Sequence, residues 1–203
     1  TFKVIALDGH RIAIRNVSLS GMADDVKVIV PGKTLNELNK ILASDAESQV
    51  NIYFTSNHIL FEFENTTVVS RLIEGEYFKV NKMLSNDYKT KVVINKKDLL
   101  DSIDRANLLI KENDKKPIII NVIDGSMEVK VTSTLGSSKE DIDIQKDGSD
   151  IMIGFNPKFL LDALRAIDDE YVSIYFVNPK APCFIRDNNE TYTYLILPVN
   201  FNA

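Results

Sequence analysis

Val92-Val93-Ile94-Asn95-Lys96-Lys97-Asp98-Leu99-Leu100-Asp101-Ser102 reads as a short apolar strand, a polar turn and the opening of an amphipathic helix. β-Branched residues favour the strand, and the Leu and Lys residues favour the helix. The same grammar occurs twice more. Val28-Ile29-Val30-Pro31-Gly32-Lys33-Thr34-Leu35-Asn36-Glu37-Leu38 lies upstream, and Met152-Ile153-Gly154-Phe155-Asn156-Pro157-Lys158-Phe159-Leu160-Leu161-Asp162-Ala163 lies downstream. Val30, Ile94 and Phe155 anchor the three copies at nearly equal intervals. A Lys falls third after each anchor (Lys33, Lys97, Lys158), a Leu fifth (Leu35, Leu99, Leu160) and an acid seventh (Glu37, Asp101, Asp162). Self-similarity at a regular interval marks one supersecondary unit used repeatedly.

Working outward, each copy continues into a helix and then strands. Leu35, Leu38, Ile41 and Leu42 recur at helical spacing. Leu99, Leu100, Ile103, Ala106 and Leu109 do so in the second copy, and Leu160, Leu161, Leu164 and Ile167 in the third. The expected helix starts are Pro31 or Thr34, Asn95 or Asp98, and Asn156 followed by Pro157. Strands are expected at 50–54, 59–63 and 67–73 in the first copy. The second copy turns at Asp124-Gly125, a strong hairpin signal, between 117–123 and 127–131, with a third strand at 142–144. The third copy has 171–177, 184–186 and 192–199. Each unit is therefore β-α-β-β-β. Residues 2–8 and 11–17, joined by Asp8-Gly9-His10, look like the end of a fourth unit. Two units pairing their helices and merging their strands make an α+β domain with greasy helix faces against sheets. Glu74 to Asn86 has mixed charge and weak periodicity and reads as a link.

Composition bounds the function. The chain has 203 residues, 44% hydrophobic and 26% charged, which excludes wholesale disorder. No apolar run approaches the ~18–20 residues of a membrane helix, so no membrane partner is expected. The net charge of −5 disfavours an ordinary groove-reading DNA binder, which is usually basic. One cysteine, Cys183, forbids an intrachain disulfide and points to the reducing cytoplasm. Two histidines and one cysteine leave no ligand set for a structural zinc. Thr1-Phe2-Lys3-Val4-Ile5-Ala6-Leu7 starts directly in a strand-like run, without an initiator Met or a basic region before a cleavage site. Thr1 is expected to be an internal start within a longer chain, with a processed N-terminus as the alternative.

Four landmarks then occur in order. Ala6-Leu7-Asp8-Gly9-His10-Arg11-Ile12-Ala13 resembles the A-T-D-G/S-H-R-L-A segment of the bacterial DNA polymerase III β subunits, the replicative sliding clamps. Leu72-Ile73-Glu74-Gly75-Glu76-Tyr77 resembles their L-I-D-G-x-[FY]-P segment. Gly154 to Leu164 is similar to their x-F-N-P-x-Y-[ML]-L-D-[AV]-L helix, and Tyr194-Leu195-Ile196-Leu197-Pro198-Val199 to their terminal strand. The resemblance implies the DNA-clamp fold, with helices on the inner face and antiparallel sheets outside. It implies that 1–78 is the second half of the middle clamp domain and 79–203 the C-terminal domain. The first domain would be missing, so this piece alone is not expected to close a ring.

The resemblance also implies a mechanism without bond chemistry, cofactor or metal. Such a protein is a processivity factor: a homodimeric ring encircles duplex DNA without reading sequence. It tethers the DNA polymerase III alpha subunit, the clamp loader, other polymerases and repair proteins through linear peptide motifs. Retention is topological, so a few cations facing phosphates suffice. Lys33, Lys97 and Lys158, with Lys40, Lys96, Arg105 and Arg165, are the implied DNA-facing set. A Lys at a helix start opposes the macrodipole, so helix stability does not explain the recurrence. The implied peptide pocket takes Leu7, Gly9, His10, Arg11 and Ile12, then Lys82 and Met83, then Pro182, Leu195, Leu197, Pro198 and Val199. Exposed aliphatic and Met side chains suit adaptable docking. Leu108 and Leu109, with Glu140 and Asp141, match a subunit interface.

Several positions depart from the family pattern: Leu7 for Thr, Phe78-Lys79 for Pro-Asp, Ser85 where Pro is common, and Asn200 for a basic residue. Phe201-Asn202-Ala203 extends the end. The residues alone leave other readings open. The lysines also read as solvated helix charges, His10 as a turn histidine, and Leu108 and Leu109 as helix core beside loop charge. Asp8, His10, Asp162 and Cys183 invite a hydrolase, but no G-x-S-x-G elbow, P-loop or metal-spaced His cluster accompanies them. A non-enzymatic interaction module on a duplicated α+β scaffold, with no DNA role, is the other alternative.

Overall fold

The computed structural model describes residues 1–19, 25–42, 49–111, 114 and 116–201. It divides into two compact units, Thr1–Ser20 with Asn86–Ala203, and Gly21–Ser85.

The larger unit is built on a duplicated strand-helix-strand-strand-strand order. Its elements are β1 (Phe2–Leu7) and β2 (Arg11–Val17), then β6 (Thr90–Asn95), α2 (Lys96–Asn107), β7 (Ile118–Ile123), β8 (Ser126–Ser133) and β9 (Gly136–Gly148). The second copy follows as β10 (Ile151–Phe155), α3 (Pro157–Arg165), β11 (Tyr171–Phe176), β12 (Cys183–Arg186) and β13 (Tyr192–Ile196). All strand pairs are antiparallel, in the order β1-β2-β13-β12-β11-β6-β9-β8-β7-β10. The two copies exchange strands. β6 pairs with β11 of the other copy and β10 with β7, so neither copy completes its sheet alone.

The helices start where the polar turn supplies a cap. Asn95 Oδ1 accepts from the N–H groups of Lys97 (2.9 Å) and Asp98 (3.2 Å), and Asn156 Oδ1 accepts from Lys158 (3.0 Å). These side chains satisfy donors that the first helical turn otherwise orphans. Pro157 sits where a missing N–H is harmless. The apolar faces of both helices enter one core, in which Leu99, Ile103, Phe155, Leu160, Leu164 and Phe176 are almost wholly buried. Each such side chain contributes about 1.5–3 kcal/mol by leaving water.

The smaller unit contains α1 (Gly32–Ile41), β3 (Asn51–Phe54), β4 (His58–Phe63) and β5 (Thr66–Arg71), the strands forming a three-stranded sheet. Leu38 packs with Ile59, Phe61 and Phe63, and Thr34 and Ser70 share a hydroxyl hydrogen bond of 2.7 Å. The link holds one 3-10 turn at Val80–Lys82.

Three expectations need correction. Val28-Ile29-Val30 is no strand: Ile29 accepts one backbone bond, from Ile73 (2.9 Å). The equivalent β6 has a partner on each side, whereas a single bond makes no ladder. β9 runs far beyond Ile142–Ile144, since it pairs with β8 along 136–143 and with β6 along 144–148, while its mostly polar alternation gives little strand signal. β13 ends at Ile196 rather than Val199, since Pro198 has no N–H to donate. The chain stays docked there by other bonds, from Leu197 N–H to the His10 carbonyl (2.9 Å) and from Val199 N–H to the Gly154 carbonyl (2.8 Å). Of the terminal extension, Asn202 and Ala203 lie outside the described residues.

Candidate peptide groove and cationic helix starts

The β1–β2 turn is tied down from within. Asp8 Oδ1 accepts from the backbone N–H groups of His10 (2.9 Å) and Arg11 (3.1 Å), an Asx turn that fixes an otherwise exposed loop. Arg11 then reaches four partners. Its Nε donates to Asp8 Oδ2 (2.8 Å), and its Nη1 donates to Asp162 Oδ2 (2.6 Å) and to the Tyr194 hydroxyl (3.1 Å). Its guanidinium carbon lies 4.5 Å from the centre of the Phe159 ring, and the His10 ring lies 5.8 Å from the same centre.

This geometry sets the charges. Partial burial disfavours the Arg11 cation, but hydrogen bonds to Asp162, Asp8 and Tyr194 outweigh it and raise its pKa. At Asp8, burial raises the pKa, yet Arg11 and the backbone N–H groups of His10 and Arg11 win and hold it below the usual carboxylate value. Burial pushes the Tyr194 phenol up. At neutral pH Arg11 is therefore a cation, Asp8 an anion and Tyr194 a neutral phenol.

The expected pocket residues separate into two kinds. Leu7, Gly9 and His10 are exposed, while Arg11, Pro182, Leu197, Pro198 and Val199 are half-buried. Ile12 and Leu195 face each other across β2 and β13 and are buried, so neither side chain is open to solvent. Lys82 and Met83 are exposed in the other unit, and their share in the site rests on the resemblance alone. Phe159, Asp162 and Tyr194 were missing from the expected set. The signal for two of them was present: Phe159 and Asp162 stand three residues apart on α3, hence on one helix face.

The seven cations also divide. Lys33, Lys97 and Lys158 are exposed at their helix starts and make no ion pair with another described residue. Lys40 pairs with Glu37 (2.9 Å) and Arg165 with Asp104 (2.9 Å). Lys96 donates to the Ile167 carbonyl just past the end of α3 (2.5 Å), tying the start of α2 to the turn after α3. Arg105 is bidentate to Glu140 (2.8 and 2.5 Å), so the structure ties a cation expected at DNA to an acid expected at the subunit interface. The Arg105 guanidinium holds the Glu140 carboxyl below its ordinary value against the opposing effect of burial.

Around that pair, Asp98, Asp101, Asp141 and Asp143 line an acidic cleft between α2 and β9. Just past the end of α2, Leu108 is 78% exposed, while Leu109 packs on the core. Cys183 is wholly buried, and burial raises its thiol pKa, so this thiol is not a nucleophile open to solvent. No group of three or more potential metal-ligating side chains occurs among the described residues. No helix there is long and apolar enough to cross a membrane.

A duplicated β-α-β-β-β domain, capped helices that begin with lysines and a hairpin clasped to the last strand describe a clamp-type scaffold. Family comparison agrees: residues 1–79 match the central domain of the DNA polymerase III beta subunit, and residues 81–200 match its C-terminal domain. The chain belongs to the DNA polymerase III beta subunit family. It is 36% identical over 197 residues to a beta sliding clamp from Staphylococcus aureus, covering 96% of this chain and 52% of that protein. Among solved structures it is similar to a candidate DNA polymerase III beta subunit from Eubacterium rectale, with 65% identity and a TM-score of 0.95, covering 99% of this chain and 55% of that one. The DNA polymerase sliding clamp from Bacillus subtilis shares 35% identity with a TM-score of 0.93, over 98% of this chain and 54% of that one. The chain thus spans about half the length of the relatives it matches.

Proposed function

We propose that this chain is part of a ring-shaped sliding clamp, a non-catalytic processivity factor that encircles duplex DNA and tethers DNA polymerase and other partners by their linear peptides. The observation that carries the reading is the clasp in which Leu197, on the tail after β13, donates its N–H to His10 in the β1–β2 turn. It brings the exposed Leu7, Gly9 and His10 beside half-buried Leu197, Pro198 and Val199, giving apolar walls with a few fixed polar groups. Residues 1–78 are the second half of the middle clamp domain and 79–203 the C-terminal domain, acting in the cytoplasm. Lys33, Lys97 and Lys158 offer phosphates their cations without making the protein basic overall, which reconciles a net charge of −5 with DNA. Exposed Leu108 beside the acidic cleft suits a head-to-tail homodimer interface with a basic partner surface.

Family membership weighs against an interaction module with no DNA role. The test is a fluorescence-polarisation titration with a fluorescein-labelled clamp-binding peptide from the replicative polymerase. Saturable binding is expected, abolished by Leu197→Asp. Undiminished binding by that variant rejects the groove.

A further inference from the structure

We propose that Asp162 is a positioning residue for the peptide groove, acting through Arg11 on the turn that carries Leu7, Gly9 and His10. The inference rests on the peptide-docking reading above and adds a residue that touches no peptide itself.

Asp162 belongs to the third copy of the repeat, where its counterparts are Glu37 and Asp101. Glu37 pairs with Lys40 in its own helix, and Asp101 lines the acidic cleft. Asp162 instead reaches Arg11, 151 residues away in sequence. Phe159 and Asp162 emerge one turn apart on α3, so a ring and a carboxylate stand side by side. The Arg11 guanidinium engages both, with its carbon 4.5 Å from the ring centre and Nη1 donating to the carboxylate at 2.6 Å. Asp8 accepts from Nε, so the two acids hold the guanidinium from two sides.

The Asp162 side chain is 39% exposed and that of Arg11 25%, so the pair contributes little to folding. What it fixes is direction. The turn residues 8–10 are all exposed and have little packing of their own to locate them. Among the ties that hold this turn are the Asx bonds of Asp8, the Leu197 bond to His10, and the Arg11 bridge to α3. Without Asp162 an incoming peptide must order Arg11 and the turn, and ordering on binding weakens affinity.

The test uses the full chain and the same fluorescein-labelled polymerase peptide, with thermal unfolding run in parallel. Asp162→Asn is expected to bind about five- to tenfold more weakly with an unchanged thermal midpoint. Asp162→Glu, which restores the charge, is expected to recover part of the loss. Arg11→Lys keeps the charge but loses the fork and is expected to weaken binding as well. If Asp162→Asn does not fold, Arg11→Lys reads the same contact, and parental affinity there overturns the proposal. Parental affinity in Asp162→Asn, with binding still abolished by Leu197→Asp, overturns the positioning role and leaves the groove standing. A lowered midpoint in every variant with no recovery by Asp162→Glu assigns Asp162 to folding and also overturns it. A parent that binds no peptide removes both readings.

Discussion

A β-carbon on Gly154 would stand 2.6 Å from Cδ1 of Phe201 and 2.9 Å from the carbonyl oxygen of Val199. The glycine in β10 is therefore the seat of the C-terminal tail. Its missing side chain lets Val199 approach closely enough to bond its carbonyl and lets the Phe201 ring lie across it. Gly154→Ala is expected to lower stability by about 1–3 kcal/mol, because backbone as well as a ring must move. It also loosens the segment bearing Leu197. Urea unfolding and peptide titration measure the two effects, and a variant unchanged in both would refute the docking role of this tail.

The asparagine caps predict matched losses. Asn95→Ala and Asn156→Ala each remove the side-chain acceptor at a helix start, and each is expected to cost about 1 kcal/mol. A double variant adds them if the two ends are independent. Chemical denaturation decides this, and a neutral Asn156→Ala would mean that Pro157 alone defines the start of α3.

Acid should weaken the fold through Asp8 and Glu140. Both carboxyls are held below their ordinary values of 3.8 and 4.5 in the folded chain. A depressed folded pKa means that the unfolded state takes up the proton more readily. The stabilisation is therefore complete above the unfolded values, fades below about pH 4.5 and is lost as pH falls through the folded values. Asp8→Asn should flatten part of that acid limb in a series of thermal unfolding midpoints. An identical limb in the variant would contradict the Arg11 pairing.

The exposed lysines predict a salt effect. In the full chain, replacing Lys97 and Lys158 by Glu should weaken contact with duplex DNA. The slope of log affinity against log salt should fall by about one unit for each phosphate contact removed. Binding measured across a salt series provides the check, and an unaltered slope would place those lysines away from DNA. The same exchange at Arg105 and Arg165 should matter less, because each already answers a carboxylate.

Much of this architecture was legible in the residues. α2 and α3 were readable because cap, proline and apolar stripe agree at one position, which is the condition for an unambiguous helix. The β7–β8 hairpin was readable because Gly125 takes the positive φ (73°) that Asp-Gly turns favour. The strand assigned to Val28–Val30 failed because β-propensity says nothing about whether a partner edge is available. The extra length of β9 was hidden because its half-buried face carries Ser138, Glu140 and Lys146 beside Ile142 and Ile144. For the proposed groove, family motifs pointed to Leu7, His10 and Leu197. The roles of Phe159, Asp162 and Tyr194 emerge only when β13 and α3 are folded against β2, since no local pattern links residues so far apart.

The inaccessible thiol of Cys183 has a practical consequence. It is the sole sulfhydryl in this chain, and the core packed around β12 buries it completely. Maleimide dyes should leave it untouched under native conditions. One cysteine placed at the exposed tip of the β8–β9 hairpin, at Leu135, would then take a single fluorophore without first removing the native residue.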